Sequence, residues 1–400
     1  MTEKEGVIKW FSEIKKEDRE IVGDKAAIIG QMQASKFPIP AGFVVTFAAY
    51  KHFMGYGGLK EKINFILEDL NIGDKNALKA ASQKIIDLIE KTEFHKEVEE
   101  TIAEAYELLD VDKEVLKSAS AGALSILKNS REPVFVAVRK SVRKEHEFIR
   151  KGKREYYLNV KGFRDLLQRI KKVYASMFGE EEIYDRLSKK IENSDFEVAL
   201  VIQKMVNADK SGTVYTKSKV ENSNNLVVKG LWGLGVAVNW GVRPDTYIVN
   251  RENMEILSHE IETKEFAITR DSSGNNCTVK LTAERAMQQT LTNHEIKIVS
   301  QFAMKLEEQM KKSQKVDFSI SNGEIFIISS EDLRMESAKK NNDKKEDIED
   351  IEKKILKELE VEEYRPGAIK EKDEDMPRLN DAILVEEQQE MDDENRIDLV

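Results

Sequence analysis

The sequence contains very little cysteine: Cys277 is the only one among 400 residues. An intrachain disulfide is therefore impossible, and a zinc site built on cysteine ligands is excluded. This shortage is typical of proteins in a reducing compartment and indicates the cytoplasm.

Long hydrophobic runs are also missing. The N-terminal stretch MTEKEGVIKWFSEIKKEDRE lacks the apolar core of a signal peptide. No segment approaches the roughly 20 apolar residues that span a bilayer. We therefore expect a soluble cytoplasmic protein that has no membrane partner.

Negative charge is concentrated at one end of the chain. The net charge is −10, and residues 335–400 carry 12 Lys/Arg and 23 Asp/Glu, a balance of −11. Residues 1–334 are therefore close to neutral, at +1. The acidic segment argues against nucleic acid as a partner, because a polyanion repels it.

Composition and periodicity predict four regions along the chain. They are an N-terminal lobe with a helical region, a central strand–helix region, a sheet-rich lobe and an acidic tail, at 1–130, 131–195, 196–334 and 335–400. In the helical region, isoleucine and leucine recur at helical spacing between Ile63 and Leu109, which usually marks a packed core. Within the tail, an amphipathic helix is predicted at 346–360, and the rest is predicted to be disordered.

Local signals predict individual elements. The run PVFVAVR at 133–139 has the character of a buried strand that ends in an arginine. Thr292 and Glu295 have the spacing of a capping box, which predicts a helix at 291–312. A β-hairpin is predicted across Ser321-Asn322-Gly323, because apolar runs flank this turn sequence.

The most informative stretch runs from Gly23 to Val45. Gly23 and Lys25 stand close together before a helix-like segment, and two prolines and a glycine then lead into a β-type run. The start of a helix carries partial positive charge and unpaired N–H groups, which favour a phosphate. The stretch therefore predicts a lysine close to phosphate oxygens, and a nucleotide as the ligand.

Such segments occur together in one known family. Between residues 21 and 330 the chain contains, in order, GDKAAIIGQM, FPIPAGFVVT, VAVRKS, YYLNVKG, ASMF, VIQKMV, SGTVYT, GLWGLGVAVNWGVRPDTYIV and VDFSISNGEIFII. It thereby resembles the N-terminal nucleotide-binding region of phosphoenolpyruvate synthase and pyruvate phosphate dikinase. The resemblance implies an α+β, ATP-grasp-like fold: two α+β lobes with a helical insertion, ATP between the lobes, and a charged C-terminal tail.

The resemblance also implies roles for particular residues. Lys25 matches a lysine that contacts the ATP phosphates, and Arg139 matches a phosphate-binding arginine whose planar fork of donors suits that task. Gln203, Met205 and Val206 match a segment whose backbone borders the adenine. Other roles remain open: surface salt bridges for the lysine and the arginine, and a plain buried strand for the segment.

The metal-binding part of the pattern is altered. Asp317 matches a family acid that binds the divalent metal, which implies Mg²⁺ beside the ATP. Val236 stands in place of a glutamate, Ser329 in place of a metal-binding glutamine, and Glu331 in place of an arginine that stabilises charge on the phosphates. Residues 329 and 331 share one face of a strand, so Glu331 and Asp317 are predicted to hold the metal together. The alternative for Asp317 is a polar residue on the exposed face of the hairpin.

The loss of that arginine bears on catalysis, because such a group stabilises charge during phosphoryl transfer. Replacement by an acid inverts the charge beside a polyanion. Arg143, Lys144 or Arg334 would have to supply the missing positive charge. The first two belong to a basic loop, 140–151, that departs from the family pattern.

Two functions remain open. The first is an enzyme subunit that binds ATP and Mg²⁺ and transfers a phosphoryl group to a histidine on a separate partner protein. The chain's own five histidines have no glycine-rich phosphohistidine motif nearby. The second is a catalytically degenerate regulatory or scaffold subunit that docks a partner through the acidic tail. For the tail, a solvated extension without a partner is the alternative. In both cases Lys25, Arg139 and Asp317 are expected to converge on one cleft.

Overall fold

The computed structural model describes residues 6–111, 132–143, 156–191, 196–217, 224–271 and 274–333. The chain divides into two compact units, residues 1–205 and 206–400. The predicted helix at 346–360, the rest of the acidic tail and most of the basic loop lie outside the described residues.

The first unit contains a five-stranded antiparallel sheet in the order β1-β2-β5-β3-β4. The strands are β1 Ile8–Trp10, β2 Gly42–Val45, β3 Phe135–Ser141, β4 Tyr156–Lys161 and β5 Ala199–Lys204. The sequence grouped β5 with the sheet-rich lobe that begins at 196. Instead, β5 lies between β2 and β3, since its apolar side chains complete the core of the first unit.

Helices pack around this sheet, and between residues 59 and 108 they lie where the helical period predicted them. They are α1 Arg19–Ala34, α2 Phe47–Gly55, α3 Leu59–Leu67, α4 Lys75–Lys91, α5 Lys96–Leu108, α6 Phe163–Ser176 and α7 Glu180–Ser188. The predicted stripes point inward: Ile63, Ile85, Ile89 and Ile102 are buried. The start of α4 is set by Asp74, whose carboxylate accepts hydrogen bonds from two backbone N–H groups of the first turn, at 2.9 and 3.2 Å.

The second unit contains a six-stranded antiparallel sheet in the order β13-β12-β6-β7-β8-β9, together with a two-stranded sheet, β10-β11. The strands are β6 Lys210–Tyr215, β7 Leu226–Trp232, β8 Asp245–Val249, β9 Ile256–Glu260, β10 Phe266–Arg270, β11 Asn276–Lys280, β12 Gln314–Ser321 and β13 Glu324–Asp332. Two helices accompany them, α8 Ala283–Met287 and α9 Asn293–Met310.

One face of the large sheet is covered by α9. This helix begins with the predicted capping box: the Glu295 N–H donates to Thr292 Oγ1 at 3.2 Å, and the Thr292 N–H donates to the Glu295 carboxylate at 2.7 Å. Its buried residues recur at helical spacing, namely Ile296, Val299, Ala303 and Leu306. Burial alternates along β12, where Val316, Phe318 and Ile320 are buried, so the sheet presents one apolar face to the helix.

The predicted hairpin is confirmed as the β12–β13 pair, with Ser321 opposite Glu324. Its two turn residues have positive φ, 50° at Asn322 and 79° at Gly323. These angles fit a tight turn between antiparallel strands, for which Asn-Gly is a favoured sequence. Across the described ranges, no helix combines the length and apolar character needed to cross a membrane.

Candidate nucleotide-binding site

Gly23 interrupts α1 just before Lys25. Its backbone angles, φ 76° and ψ 172°, are not helical, so the helical turns begin again after it. A Cβ atom at this position would lie 2.7 Å from Ser141 Oγ and 2.8 Å from the Ser141 carbonyl carbon. Glycine is therefore required here both for the positive φ and for the close approach of β3.

The end of β3 caps this helix start. The Asp24 N–H donates to the Val142 carbonyl at 3.1 Å, and the Ala26 N–H donates to Ser141 Oγ, also at 3.1 Å. These bonds satisfy two of the N–H groups that a helix start leaves unpaired. They join the turn that carries Lys25, which is half-buried, to the strand that carries Arg139.

Arg139 is held by an amide side chain from the neighbouring strand. Its guanidinium Nη2 donates to Oε1 of Gln203, which is almost completely buried on β5. Arg139 lies opposite Val201 in the register, so Arg139 and Gln203 share a face of the sheet. Sequence reasoning assigned Gln203 a backbone role only, and its hydrogen bond to the arginine was missed.

Arg143 is committed elsewhere. Its guanidinium bonds the Glu197 carboxylate at 2.7 Å and the Glu20 carboxylate at 3.1 Å, and it lies 4.7 Å from the centre of the Phe47 ring. These contacts tie the chain after β3 to α1, α2 and the start of β5. Arg143 is thus engaged within the first unit, and Lys144 and Arg334, the two other predicted sources of positive charge, lie outside the described residues.

The predicted adenine segment lies at the end of β5. The Met205 N–H donates to the Phe135 carbonyl at 2.8 Å, and the Lys204 N–H donates to the Ala41 carbonyl at 2.8 Å. These N–H groups are therefore used within the first unit, whereas Val206 is the first residue of the second unit. A backbone role of this segment toward adenine stays a prediction.

Asp317 lies on the second unit's large sheet, on the face opposite α9. Its Oδ1 accepts a hydrogen bond from Thr213 Oγ1 at 2.9 Å, and its Oδ2 accepts one from Ser329 Oγ at 2.6 Å. Both partners stand directly opposite Asp317 in the strand register. Ser329, which the resemblance matches to a family glutamine, thus holds the carboxylate through its hydroxyl.

Two lysines share this face with Asp317. Lys229 stands opposite Thr213, in the same row of the sheet as the aspartate, and is only 5% exposed. Lys315 is two residues before Asp317 on β12 and stands directly opposite Glu331. These residues belong to two neighbouring rows of side chains that cross the strands, which together we call the Asp317 face. One row contains Ser329, Asp317, Thr213, Lys229 and Thr246. The next row contains Glu331, Lys315, Tyr215 and Val227.

These residues fit Mg²⁺ poorly. Magnesium takes six oxygen ligands in near-octahedral geometry, usually with one or two carboxylates and several waters or phosphates. The Asp317 face offers two carboxylates, one held by two hydroxyls and the other opposite a lysine. Among the residues that the structure describes, no group of three or more His, Cys, Asp or Glu side chains could hold a metal. Val236, in a short 3₁₀ helix, supplies no oxygen ligand from its side chain.

A second polar centre, which sequence reasoning missed, stabilises the second unit from inside. Asp245 and Lys264 form an ion pair in which neither side chain is exposed. The aspartate also accepts hydrogen bonds from the Glu262 N–H at 3.0 Å, from the Thr290 N–H and hydroxyl at 2.8 and 2.7 Å, and from the Tyr247 hydroxyl at 3.2 Å. Burial and the nearby carboxylate raise the pKa of Tyr247 above its ordinary value, so it stays a neutral donor.

The predicted site residues thus fall into two sets. Lys25, Arg139 and Gln203 belong to the first unit, where bonds from β3 and β5 connect them. Asp317 and Glu331 share one face of the β12–β13 hairpin in the second unit. Convergence of Lys25, Arg139 and Asp317 on one cleft stays a prediction.

Comparison with known proteins defines the class. Residues 19–353 match the family model described as "Pyruvate phosphate dikinase, AMP/ATP-binding domain". The chain belongs to this family, and its mixed helices and antiparallel sheets agree with the predicted α+β, ATP-grasp-like fold. Family membership supports ATP as the ligand.

Individual relatives are similar over most of this chain. It is 34% identical over 354 residues to a probable phosphoenolpyruvate synthase of Methanocaldococcus jannaschii, covering 87% of this chain and 28% of the relative. It is 32% identical over 350 residues to one from Archaeoglobus fulgidus, covering 87% and 44%. It is 30% identical over 373 residues to the phosphoenolpyruvate synthase of Pyrococcus furiosus, covering 86% and 46%. The chain therefore spans less than half the length of these relatives.

Proposed function

We propose that this chain is an ATP-binding regulatory or scaffold subunit that binds the nucleotide without turning it over. The observation that carries the proposal is the state of Asp317, whose two oxygens accept hydrogen bonds from Thr213 and Ser329. The carboxylate in the metal-binding position is thus part of a hydrogen-bonded sheet row. On this proposal the chain keeps nucleotide binding but not phosphoryl transfer, because Lys25 and Arg139, which would bind the phosphates, are retained on the first unit.

Binding is supported by the first unit. A half-buried lysine on the turn after Gly23 and an arginine held by a buried amide are suitable partners for phosphate oxygens. Both side chains are already anchored to the sheet. The turn that carries Lys25 is bonded to Ser141, and the guanidinium of Arg139 is bonded to Gln203.

Lack of turnover is supported by the second unit. Phosphoryl transfer depends on positive charge placed around the transferred group, by metal ions and by arginine. Glu331 brings a negative charge to the position of the family arginine, and Arg143 is bound to two glutamates instead of replacing it. The retained groups therefore support ATP binding more strongly than they support phosphoryl transfer.

The chain would act on a protein partner in the cytoplasm. The acidic segment 335–400, with its net charge of −11, is the part of the sequence best suited to dock such a partner. Nucleotide occupancy would then be the signal that the partner reads.

A second candidate function is an ATP-dependent phosphotransferase subunit that uses Mg²⁺ and transfers a phosphoryl group to a histidine on a separate protein. Retention of Lys25 and Arg139 favours it, and so does the similarity to phosphoenolpyruvate synthases. It requires Asp317 and Glu331 to bind the metal together, and a positive group from elsewhere to replace the arginine.

Calorimetric titration of the purified full chain with ATP tests binding. We expect saturable binding that weakens about tenfold or more in Lys25→Met and in Arg139→Met, the loss of one charged contact each. Lys60→Met, a matched change at an exposed lysine on α3, is expected to leave the affinity unchanged. Absence of ATP binding to the unaltered chain would overturn the proposal.

Labelling with ATP that carries a radioactive γ-phosphate separates the two candidates. The full chain is incubated with ATP and with proteins that co-purify with it, under conditions that preserve phosphohistidine. We expect ATP to remain intact and no protein to be labelled. Label on a histidine of a partner, lost in Arg139→Met, would replace the regulatory proposal by the second candidate.

A further inference from the structure

An apolar groove lies on the surface of the first unit, between α3 and α4. Its volume is about 650 Å³, and its apolar lining comes from Phe65 and Ile66 on α3 and Leu88 on α4. The side chain of Phe65 is 77% exposed, more than any other large apolar side chain that the structure describes. An apolar groove with a charged rim is typical of a surface on which another segment docks.

Charged side chains border this groove unevenly. The α4 side carries two exposed lysines, Lys84 and Lys91, which are two helical turns apart, together with Asp87. The α3 side carries Glu61 and Lys62, whose charges balance. The excess of positive charge therefore lies along α4, and an acidic edge of a docked segment would be attracted to that side.

One segment of this chain has the apolar pattern that such a groove requires. Residues 346–360 lie outside the described residues, and their sequence predicts an amphipathic helix. On this helix the main apolar side chains form one stripe, namely Ile348, Ile351, Ile355 and Leu359. A helix of this length extends for about 22 Å, close to the roughly 25 Å of α4.

The charges of the segment are also unevenly placed. Its net charge is −4, from seven acids and three lysines. One edge beside the apolar stripe carries only acids, Glu349, Glu352 and Glu360, and we call these three the acidic edge. Lys353 and Lys357 fall on the face opposite the stripe. The stripe and the acidic edge can therefore meet the groove without bringing these two lysines against the lysines of α4.

We propose that residues 346–360 dock as a helix in the groove between α3 and α4 of the same molecule. The apolar stripe covers Phe65, and the acidic edge lies along Lys84 and Lys91. The proposal goes beyond the proposed function, because this docking requires no nucleotide. It makes the groove a competitor for any partner that binds the acidic tail.

The segment belongs to the same chain, so the connecting residues set its concentration near the groove. Residues 334–345 join it to the described part of the chain, and these twelve residues reach up to roughly 40 Å when extended. A segment tethered in this way meets a site within its reach at an effective concentration in the millimolar range. A second copy at micromolar concentration competes poorly with it.

Hydrogen–deuterium exchange of the full chain tests the docking. We expect amides 346–360 to exchange about tenfold or more slowly than in a chain that carries both Ile351→Asp and Ile355→Asp, because a docked helix must be released before it exchanges. Phe65→Ser should remove this protection. Tyr184→Ser, at an exposed aromatic residue on α7, should leave it unchanged. Equal exchange in the unaltered chain and the double variant overturns the proposal, and so does protection that survives Phe65→Ser.

Charge reversal tests the predicted orientation. Lys84→Glu together with Lys91→Glu should speed the exchange of amides 346–360 by about threefold or more. Changing the three glutamates of the acidic edge to lysine in that same chain should restore the protection. Lys79→Glu is the matched control, because this exposed lysine of α4 does not line the groove. Unchanged exchange after the reversal on α4, or no recovery after reversal on both sides, overturns the proposed contact.

Cross-linking identifies the molecule that supplies the segment. A mixture of ¹⁵N-labelled and unlabelled full chains is treated with a carbodiimide, which joins lysines to carboxylates that are in contact. We expect peptides that link Lys84 or Lys91 to the acidic edge, each with a single isotope composition. Linked peptides of mixed isotope composition in the proportion expected for random pairing would assign the segment to a second copy and overturn the proposal. No link between the acidic edge and α4 would overturn it as well.

Discussion

Ser141 Oγ accepts a hydrogen bond from the Ala26 N–H at 3.1 Å, which joins the end of a central strand to the start of a helix. The two residues are 115 positions apart in the sequence. Between them they fix the turn that carries Lys25 relative to the strand that carries Arg139. The predicted phosphate site on the first unit therefore depends on packing as well as on two charged side chains.

Removal of this cap is expected to weaken both stability and nucleotide binding. Ser141→Ala leaves a buried N–H without its acceptor, at a cost of about 1–3 kcal/mol in the free energy of unfolding. Ser141→Thr retains the hydroxyl and is expected to recover most of the ATP affinity. Urea unfolding and ATP titration of both variants provide the measurement. If Ser141→Ala bound ATP as tightly as the unaltered chain, this bond would have no part in positioning Lys25.

Gly23 is expected to tolerate no side chain. Gly23→Ala would place a Cβ atom 2.7 Å from Ser141 Oγ and force alanine to adopt a φ of 76°. Together these effects should cost about 2–4 kcal/mol in unfolding free energy. Gly55→Ala is the matched control, because no atom lies within 4 Å of the added Cβ and its φ is −79°. Thermal unfolding should show a large loss for the first variant and little change for the second.

Gln203 is expected to affect ATP binding through Arg139. Gln203→Ala removes one acceptor that orients the guanidinium of Arg139, so the affinity for ATP should fall about tenfold. Gln83→Ala, which removes an exposed glutamine bonded to Asp87 at 2.7 Å, should leave the affinity unchanged. An equal effect of both changes would contradict a positioning role for Gln203. Combination with Arg139→Met should add little to the loss, since both changes act on one contact.

Local sequence was sufficient to predict those elements whose burial follows a short period. Ile63 and Leu67, Ile85 and Ile89, and Ile102 and Ala105 each stand three or four residues apart within one helix, and all six are buried. The capping box at Thr292 and the Asn-Gly turn are also local signals, and the structure confirms both. Each of these predictions required only residues within a few positions of each other.

Strand pairing and side-chain contacts between segments far apart in the sequence could not be predicted from such local signals. The apolar run that forms β5 has no local feature that selects β2 and β3 as its neighbours. Likewise, the bond between Arg139 and Gln203 spans 64 positions. One signal was available for Ser141: it follows Arg139 by two residues in a strand, so both were bound to share a face. The positions of Lys229 and Lys315 beside Asp317 required the strand register, which motifs do not specify.

The buried pair Asp245 and Lys264 provides a last prediction, on stability alone. Asp245→Asn leaves the ammonium of Lys264 inside the second unit without its counter-charge, and removal of one partner of such a pair costs about 3–5 kcal/mol. Lys264→Met should be similarly destabilising, because the aspartate would keep its hydrogen bonds but lose its cation. Glu100→Gln is the control, since it breaks an exposed pair with Lys96 at 3.7 Å and should cost less than about 0.5 kcal/mol. Chemical unfolding measures all three. A loss below about 1 kcal/mol in both buried variants would mean that the surrounding donors, and not the ion pair, hold this part of the sheet together.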